Sequence, residues 1–325
     1  MKETIYKIRS GLCKTKWERN DKVKVLIETN NYFNKMNWDS ILKKNKYSNR
    51  YEFRYFSNKY EGFKLVKDAD ILFSFGDNRY YYKDKIKMQY YGISQPDVSN
   101  TATAKTYYAK GFSSQSIAEY CLTYTLIMIN GYGSYFRNQF HKIWKQNIYN
   151  RITSNKISDR VIGVLGLGSN GRKVSEIFRN LGCKVYGYDK ENENSDIVNV
   201  FCNSFEELLK VSDILIVTVA LTPETKNLFN LDSLSKMKKD SYLINVSRGG
   251  VINENDLYKI LIENKIAGAV LDVTVNEPLP RYNKLWTLDN LIITPHISGN
   301  INRHCMEVMT DFSEKLNIFM ENRHV

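Results

Sequence analysis

The stretch that most restricts the fold of this chain lies at its centre. From Val161 it reads VIGVLGLGSNG, then RKVSEIFRNLG, then CKVYGYD. An apolar run, a glycine turn, an amphipathic stretch and a second apolar run follow one another in the order of a β-α-β unit. Gly166, Gly168 and Gly171 satisfy GxGxxG, and each has its own task. Gly166 permits the tight turn, Gly168 lets backbone approach a pyrophosphate, and Gly171 lets the helix pack closely on the strand. The first helical amides, including those of Ser169 and Asn170, then face phosphate charge. Asp189 follows Gly166 by 23 residues and closes the second strand. Its carboxylate can accept hydrogen bonds from both ribose hydroxyls and would repel a 2′-phosphate, so the unit is expected to bind NAD in preference to NADP. Lys190 beside it is a cation that would partly offset that repulsion.

Four further apolar runs follow: ILIVTVA from Ile214, SYLINVS from Ser241, IAGAVLDV from Ile266 and NLIIT from Asn290. Near-continuous apolar strands of this kind suit a parallel sheet covered on both faces. Upstream, KVLIE (Lys24 to Glu28), ADILFSF (Ala69 to Phe75) and a weaker run from Met88 to Ile93 indicate a second α/β domain, the last leading into the loop SQPDVSN. Ser113 to Ile129 has helical periodicity, with capping-box spacing at Ser116 and Glu119, and reads as an interdomain or subunit-packing helix. Arg137 to Arg160 is polar and irregular, as at a boundary, and the first 20 residues read as a polar extension. A length of 325 residues accommodates two such domains.

With 42% hydrophobic and 25% charged residues the chain is not of disordered composition. No run approaches the roughly 20 apolar residues that span a bilayer, since Ile117 to Ile129 is interrupted by Glu119 and threonines. A secreted or membrane-inserted product is not expected. The five cysteines (Cys13, Cys121, Cys183, Cys202, Cys305) are scattered and never in CxxC spacing, which fits a reducing, cytoplasmic setting. The net charge is +12, and the first 60 residues hold 15 basic against 6 acidic side chains. That front carries no nucleic-acid recognition motif, and a solvated lysine-rich face is the preferred reading. His141, His296, His304 and His324 have no metal-ligand spacing, so no metal is expected.

Three polar clusters sit just beyond predicted strands, where an open parallel sheet presents its carboxyl edge to ligands: NVSRGG around Arg248, LDVTVNEP around Asp272 and Glu277, and TPHISG around His296. A guanidinium fork such as that of Arg248 suits a carboxylate, because two parallel charged hydrogen bonds fix distance and orientation. A histidine can carry a proton near neutrality, and a neighbouring carboxylate would stabilise the imidazolium and hold one ring nitrogen. Each residue alone has a plainer reading, a surface ion pair or a structural histidine, and spacing does not show that the three meet.

These motifs in this order resemble the D-isomer-specific 2-hydroxyacid dehydrogenase family. The resemblance runs from about Lys24 to Phe312 and is carried by VLGLGSNG, LTPETKNLFN, INVSRGGVINENDLYKIL, GAVLDVTVNEPLP and NLIITPHISG. It implies two Rossmann-like α/β domains, with an NAD-binding domain over 111–299 inserted into a flavodoxin-like substrate domain of 1–110 and 300–325. By resemblance Arg248 binds a substrate carboxylate, Glu277 orients the histidine, and His296 donates and accepts the proton. Asp272 faces the nicotinamide region, while Val219, Ala220, Thr225, Val246 and Ser247 line the cofactor. The implied reaction moves hydride between NAD(H) and a 2-hydroxyacid/2-oxoacid pair, with hinge closure between domains, and members are commonly homodimers joined around the Ser116 to Ile129 helix.

The substrate side departs from the family pattern. Where a small-residue loop resembling SAGVDN is common, this chain has ISQPDVSN, so Ser94 and Gln95 are expected at the far end of the substrate. This fits a larger polar or phosphorylated 2-oxoacid, or a narrowed pocket. Asn170 stands where an apolar or basic residue is common, and TVA at Thr218 to Ala220 lacks the frequent proline. The alternative from another class is an NAD(H)-binding regulatory or scaffold protein with little turnover.

Overall fold

A computed structural model describes residues 22–75, 86–92, 104–144, 156–191, 195–299 and 304–322. The loop with Ser94 and Gln95 and the basic N-terminal extension lie outside the described residues. The chain forms two compact units. One comprises the described residues of Met1–Gly92, Asn100–Tyr107 and Met309–Val325, and the other those of Tyr108–Val308.

In the first unit β1 (Val23–Glu28), α1 (Lys35–Leu42), β2 (Tyr51–Phe56), α2 (Lys59–Leu65), β3 (Ile71–Ser74), β4 (Met88–Tyr91) and β5 (Lys105–Tyr108) follow in order. Their sheet has the order β2-β1-β3-β4-β5, with β1 parallel to β2 and β3, and β3 parallel to β4. This is the flavodoxin-like order. Asn34 and Asn58 cap the two helices by accepting the amides of Asn37 and Glu61. The strand β2 escapes a reading for apolar runs because it is an edge strand. Glu52 and Arg54 alternate with its aromatic residues and pair with each other at 2.6 Å.

In the second unit the elements are α3 (Ser114–Ile129), α4 (Tyr132–Phe140), β6 (Val161–Leu165), α5 (Ser169–Asn180), β7 (Lys184–Tyr188), β8 (Val200–Phe201), α6 (Phe205–Val211), β9 (Ile214–Val217), α7 (Leu231–Ser235), β10 (Tyr242–Asn245), α8 (Glu254–Ile262), β11 (Gly268–Leu271) and β12 (Leu291–Ile293). The seven strands lie in the order β12-β11-β10-β9-β6-β7-β8, every pair parallel. Strand order reverses between β6 and β9, which makes that junction the topological switch point. The helix α9 (Cys305–Glu321) begins in this unit, and its residues from Met309 belong to the first.

Alternation along the strands builds two cores. Ile214 and Ile216 point with Ile162, Val164 and Val270 toward α3 and α5, where they meet Ile117, Cys121, Val174 and Phe178. Leu215 and Val217 point the other way, with Leu243 and Leu271, onto Leu208, Leu257 and Leu261 of α6 and α8. In the first unit Trp38, Phe73, Tyr90 and Phe312 form an aromatic core with ring centroids 4.7 to 5.6 Å apart. Among the described residues no helix is long and apolar enough to cross a membrane.

The sequence places a capping box at Ser116 and Glu119, and here the structure differs. The helix α3 starts earlier, after Ser113, with no side-chain cap. Ser116 Oγ instead meets His304 Nε2 at 3.1 Å, and Glu119 accepts a hydrogen bond from Gln115. The boundary segment after Arg137 also begins as helix, because α4 runs to Phe140.

Candidate active site

The candidate site residues of the second unit stand in the segments that follow the carboxyl ends of strands of the seven-stranded sheet. Parallel strands put those ends on one edge, so residues far apart in sequence are gathered by topology.

After β6 the chain turns at Gly166, whose φ of +90° is costly for a side chain. A Cβ there would also lie 2.9 Å from Val219 Cγ1. The turn is closed by Thr218 Oγ1, which donates to Gly166 O at 2.8 Å. Gly171 is required by close packing, since a Cβ would fall 1.9 Å from Gly166 O. Gly168 differs: a Cβ there would meet nothing within 4 Å, so the backbone is open to approach. It precedes α5, whose N-terminus has no side-chain cap. Open backbone beside unsatisfied amides fits a pyrophosphate.

Asp189 is held as part of this turn. Its Oδ2 accepts Leu167 N at 2.6 Å and its Oδ1 accepts Glu191 N at 2.9 Å, so the carboxylate is fixed at the strand end. Asn170 departs from the common residue at its position because its side chain ties α5 to α3, accepting Ser114 Oγ at 2.8 Å. Thr225, expected to line the cofactor, has its hydroxyl engaged in the loop after β9. It accepts Thr222 N at 2.7 Å and donates to Ala220 O at 2.6 Å, which shapes the Val219 to Thr225 turn.

After β10, Asn245 organises the next turn, a role not read from sequence. Fully buried, its Oδ1 accepts Ser247 N and Ser247 Oγ at 3.0 and 2.7 Å, and its Nδ2 donates to Arg248 O at 3.1 Å. The only signal was a polar residue at the end of an apolar run, SYLINVS. Arg248 follows Val246 and Ser247 in extended backbone, half-buried, with Nη1 donating to Ser247 O at 2.8 Å. Gly249 lets this turn sit against the loop after β11, because a Cβ would lie 2.0 Å from Thr274 C.

That loop carries Glu277. Thr274 N donates to Glu277 Oε1 at 3.1 Å, leaving Oε2 to meet His296 Nδ1 at 2.8 Å. A carboxylate only accepts, so Nδ1 carries a proton and Nε2 is the ring nitrogen left for chemistry. His296 and Glu277 are both partly exposed, with 46% and 39% of their side chains accessible. His296 itself has a φ of +54°, a left-handed backbone that costs a non-glycine residue about 1–3 kcal/mol. Its N donates to Asp272 O at 2.8 Å.

Asp272, expected to face a nicotinamide ring, is 1% exposed with both carboxylate oxygens engaged within the protein. Oδ1 accepts Thr294 Oγ1 at 2.6 Å and Ile297 N at 2.9 Å, and Oδ2 accepts Ser298 N at 2.8 Å. Asp272 therefore holds the loop on which His296 stands. Of the predicted reactive residues, the structure brings His296 and Glu277 into direct contact, with Arg248 joined to them through backbone packing at Gly249.

Known proteins extend the picture. A model of the D-isomer specific 2-hydroxyacid dehydrogenase NAD-binding domain matches residues 122–298, more than half of the chain. The chain is 37% identical over 150 residues to a human glyoxylate reductase/hydroxypyruvate reductase, covering 45% of this chain and 46% of that protein. It is 40% identical over 141 residues to a D-3-phosphoglycerate dehydrogenase of Methanocaldococcus jannaschii, covering 42% of this chain and 26% of that protein. The matched stretch thus spans less than half the length of either relative. A D-isomer specific 2-hydroxyacid dehydrogenase of Lactobacillus delbrueckii, solved with NAD, superposes with a TM-score of 0.72 over 91% of this chain and 98% of that one, at 22% identity, a likeness of fold. A family match of that extent, falling on the sheet whose edge carries Gly166, Arg248 and His296, means that the chain belongs to the D-isomer-specific 2-hydroxyacid dehydrogenase family.

Proposed function

We propose that the protein interconverts a 2-oxoacid and a D-2-hydroxyacid with NAD(H), the unit of Tyr108–Val308 serving the cofactor and the other unit the substrate. The observation that carries this reading is the 2.8 Å pair of His296 Nδ1 and Glu277 Oε2 at the carboxyl edge of a dinucleotide-type sheet. A bound nicotinamide dinucleotide supplies or accepts the hydride. The protein's own groups do the rest. The α5 amides and the Gly166–Gly171 turn hold phosphate, and Asp189 receives ribose hydroxyls. Arg248 engages the substrate carboxylate through its fork. His296 Nε2 gives a proton to the carbonyl oxygen in reduction and takes one from the hydroxyl in oxidation, while Glu277 fixes the ring's tautomer and orientation.

Asp189 favours NAD over NADP, because its fixed carboxylate repels a 2′-phosphate. A homodimer is supported by α4. Tyr132, Phe136 and Phe140 recur every four residues along one exposed face, which Ile143 and Trp144 extend beyond the helix. The curated relatives above act, by their names, on acids as different as glyoxylate and 3-phosphoglycerate, so the proposal stops at the 2-oxoacid class.

The test is NADH oxidation by the purified protein across a panel of 2-oxoacids, phosphorylated ones included, beside His296→Ala. The variant is expected to lose at least about 100-fold in kcat while binding NADH as before. Unchanged turnover in the variant would sink the proton-transfer role. Tight NADH binding by the parent without turnover on any acid would replace the enzyme by a binding protein.

A further inference from the structure

The residue directly behind the His296 loop is Tyr120, on α3. Its hydroxyl lies 2.6 Å from Thr294 Oγ1, which in turn lies 2.6 Å from Asp272 Oδ1. The direction of this chain follows from proton counting. Thr294 donates its single hydroxyl proton to Asp272 Oδ1, so Tyr120 must donate to Thr294. The next link lies in the loop itself: Asp272 accepts the amides of Ile297 and Ser298, which follow His296, and through its own carbonyl accepts that of His296. Nothing in the chain is loosely held, since Tyr120 and Asp272 are both buried.

We infer that Tyr120 is a positioning residue for His296, acting through Thr294 and Asp272 to hold the histidine in its left-handed backbone with its ring on Glu277. The inference rests on the proposed role of His296 for its consequence in catalysis, though the coupling itself does not need turnover. Burial, with Asp272 nearby, keeps the Tyr120 phenol protonated well above the ordinary tyrosine range, so the donor persists at every pH at which the protein is used. Other titratable groups packed against Asp272 on the same helix behave alike. Burial and the Asp272 charge push up both the Cys121 thiol and the Tyr124 phenol, so all three remain neutral beside the carboxylate. The Tyr120 hydroxyl thus holds this loop as a neutral hydrogen-bond donor. Tyr120 bonds Thr294 and reaches the His296 loop through it and Asp272, which makes its role positioning and not catalytic.

The experiment compares Tyr120→Phe, Thr294→Val and Thr294→Ser with the parent. Tyr120→Phe is expected to lower kcat about tenfold with KM for the 2-oxoacid within about twofold, because a displaced proton donor weakens the transition state more than ground-state binding. The acid limb of the kcat/KM profile should move with it. Thr294→Val should match or exceed the loss, and Thr294→Ser, which keeps the hydroxyl, should restore it. A second readout uses the cofactor-free protein: the ring signal of His296 in a proton–carbon NMR titration, assigned with His296→Gln, should shift its midpoint in Tyr120→Phe and not in Thr294→Ser. A folded Tyr120→Phe with parental kcat, pH profile and His296 titration would overturn the inference. If that variant fails to fold, the valine and serine pair decides by the same readouts. A parent protein without turnover would count against the proposed function alone, and the histidine titration would still decide the coupling.

Discussion

Asp189 and Asp272 are both aspartates at strand ends, and their surroundings give them opposite work. Asp189 is partly exposed and fixed by two backbone amides, so charge remains at the rim of the nucleotide turn. Asp272 is buried and accepts three hydrogen bonds from the His296 loop. Sequence spacing from Gly166 singled out the first correctly as a strand-end carboxylate. Nothing in LDVT distinguishes a buried loop-holder from a ligand-facing group, because the difference lies in what Thr294, Ile297 and Ser298 donate across 22 to 26 residues of chain. Replacing Asp189 by Ser removes the repulsive charge. At surface dielectric two unit charges about 4 Å apart interact by roughly 1–4 kcal/mol. The NADPH-to-NADH preference, measured as the ratio of kcat/KM or of Kd, should therefore rise by about tenfold or more. An unchanged ratio would show that Asp189 does not face the 2′ position.

At the scale of elements, helix and strand types were legible wherever one periodicity dominated. The apolar runs of β6, β7, β9, β10 and β11 are interior strands of a sheet covered on both faces, and such strands need little context. The helix α4 was not legible. Its aromatic stripe of Tyr132, Phe136 and Phe140 faces outward, with Phe140 84% and nearby Trp144 92% exposed, so its apolar positions do not point at a core of its own chain. A second copy covering that stripe would gain about 0.025 kcal/mol for each Å² of apolar surface buried. Changing Phe140 and Trp144 together to Asp should convert a sedimenting dimer to a monomer of 38.0 kDa with the parental circular dichroism spectrum. A parental monomer, or a double variant that still sediments as a dimer, would remove this face from the assembly. The cap of α3 was read three residues beyond the actual N-cap, Ser113, for a related reason. Ser116 has the spacing of a cap, yet its hydroxyl is taken by His304, 188 residues away.

Across the whole molecule, buried phenols and thiols make stability depend on alkaline pH in both units. In the first unit burial, aided by Asp39 and Asp311, pushes the Tyr55 and Tyr90 phenols well up. In the second burial raises Tyr120 similarly and lifts the Cys183 and Cys202 thiols to about 11. The unfolded chain releases these protons at ordinary values, thiols near 8.5 and phenols near 10, while the folded chain retains them. The folded state then binds more protons, so this contribution is complete below the unfolded values and is lost as pH climbs through the folded ones. Urea midpoints should therefore fall steadily above about pH 9, and less steeply in Tyr90→Phe. A flat midpoint to pH 11 would contradict the burial of these groups.

The chain by itself determined that strands alternate with helices, that a glycine turn opens a nucleotide-type unit, and which side chains have the chemistry to bind a carboxylate and move a proton. Those properties are written in period, residue type and local spacing, which act over a few residues. Only the tertiary structure decided that Glu277 meets His296, that Gly249 brings the Arg248 turn onto the loop of Thr274, and that Asp272 faces inward with Tyr120 behind it. The reason is that parallel strand order, reversing between β6 and β9, sets which loops become neighbours, and that order comes from the packing of two cores over the entire sheet.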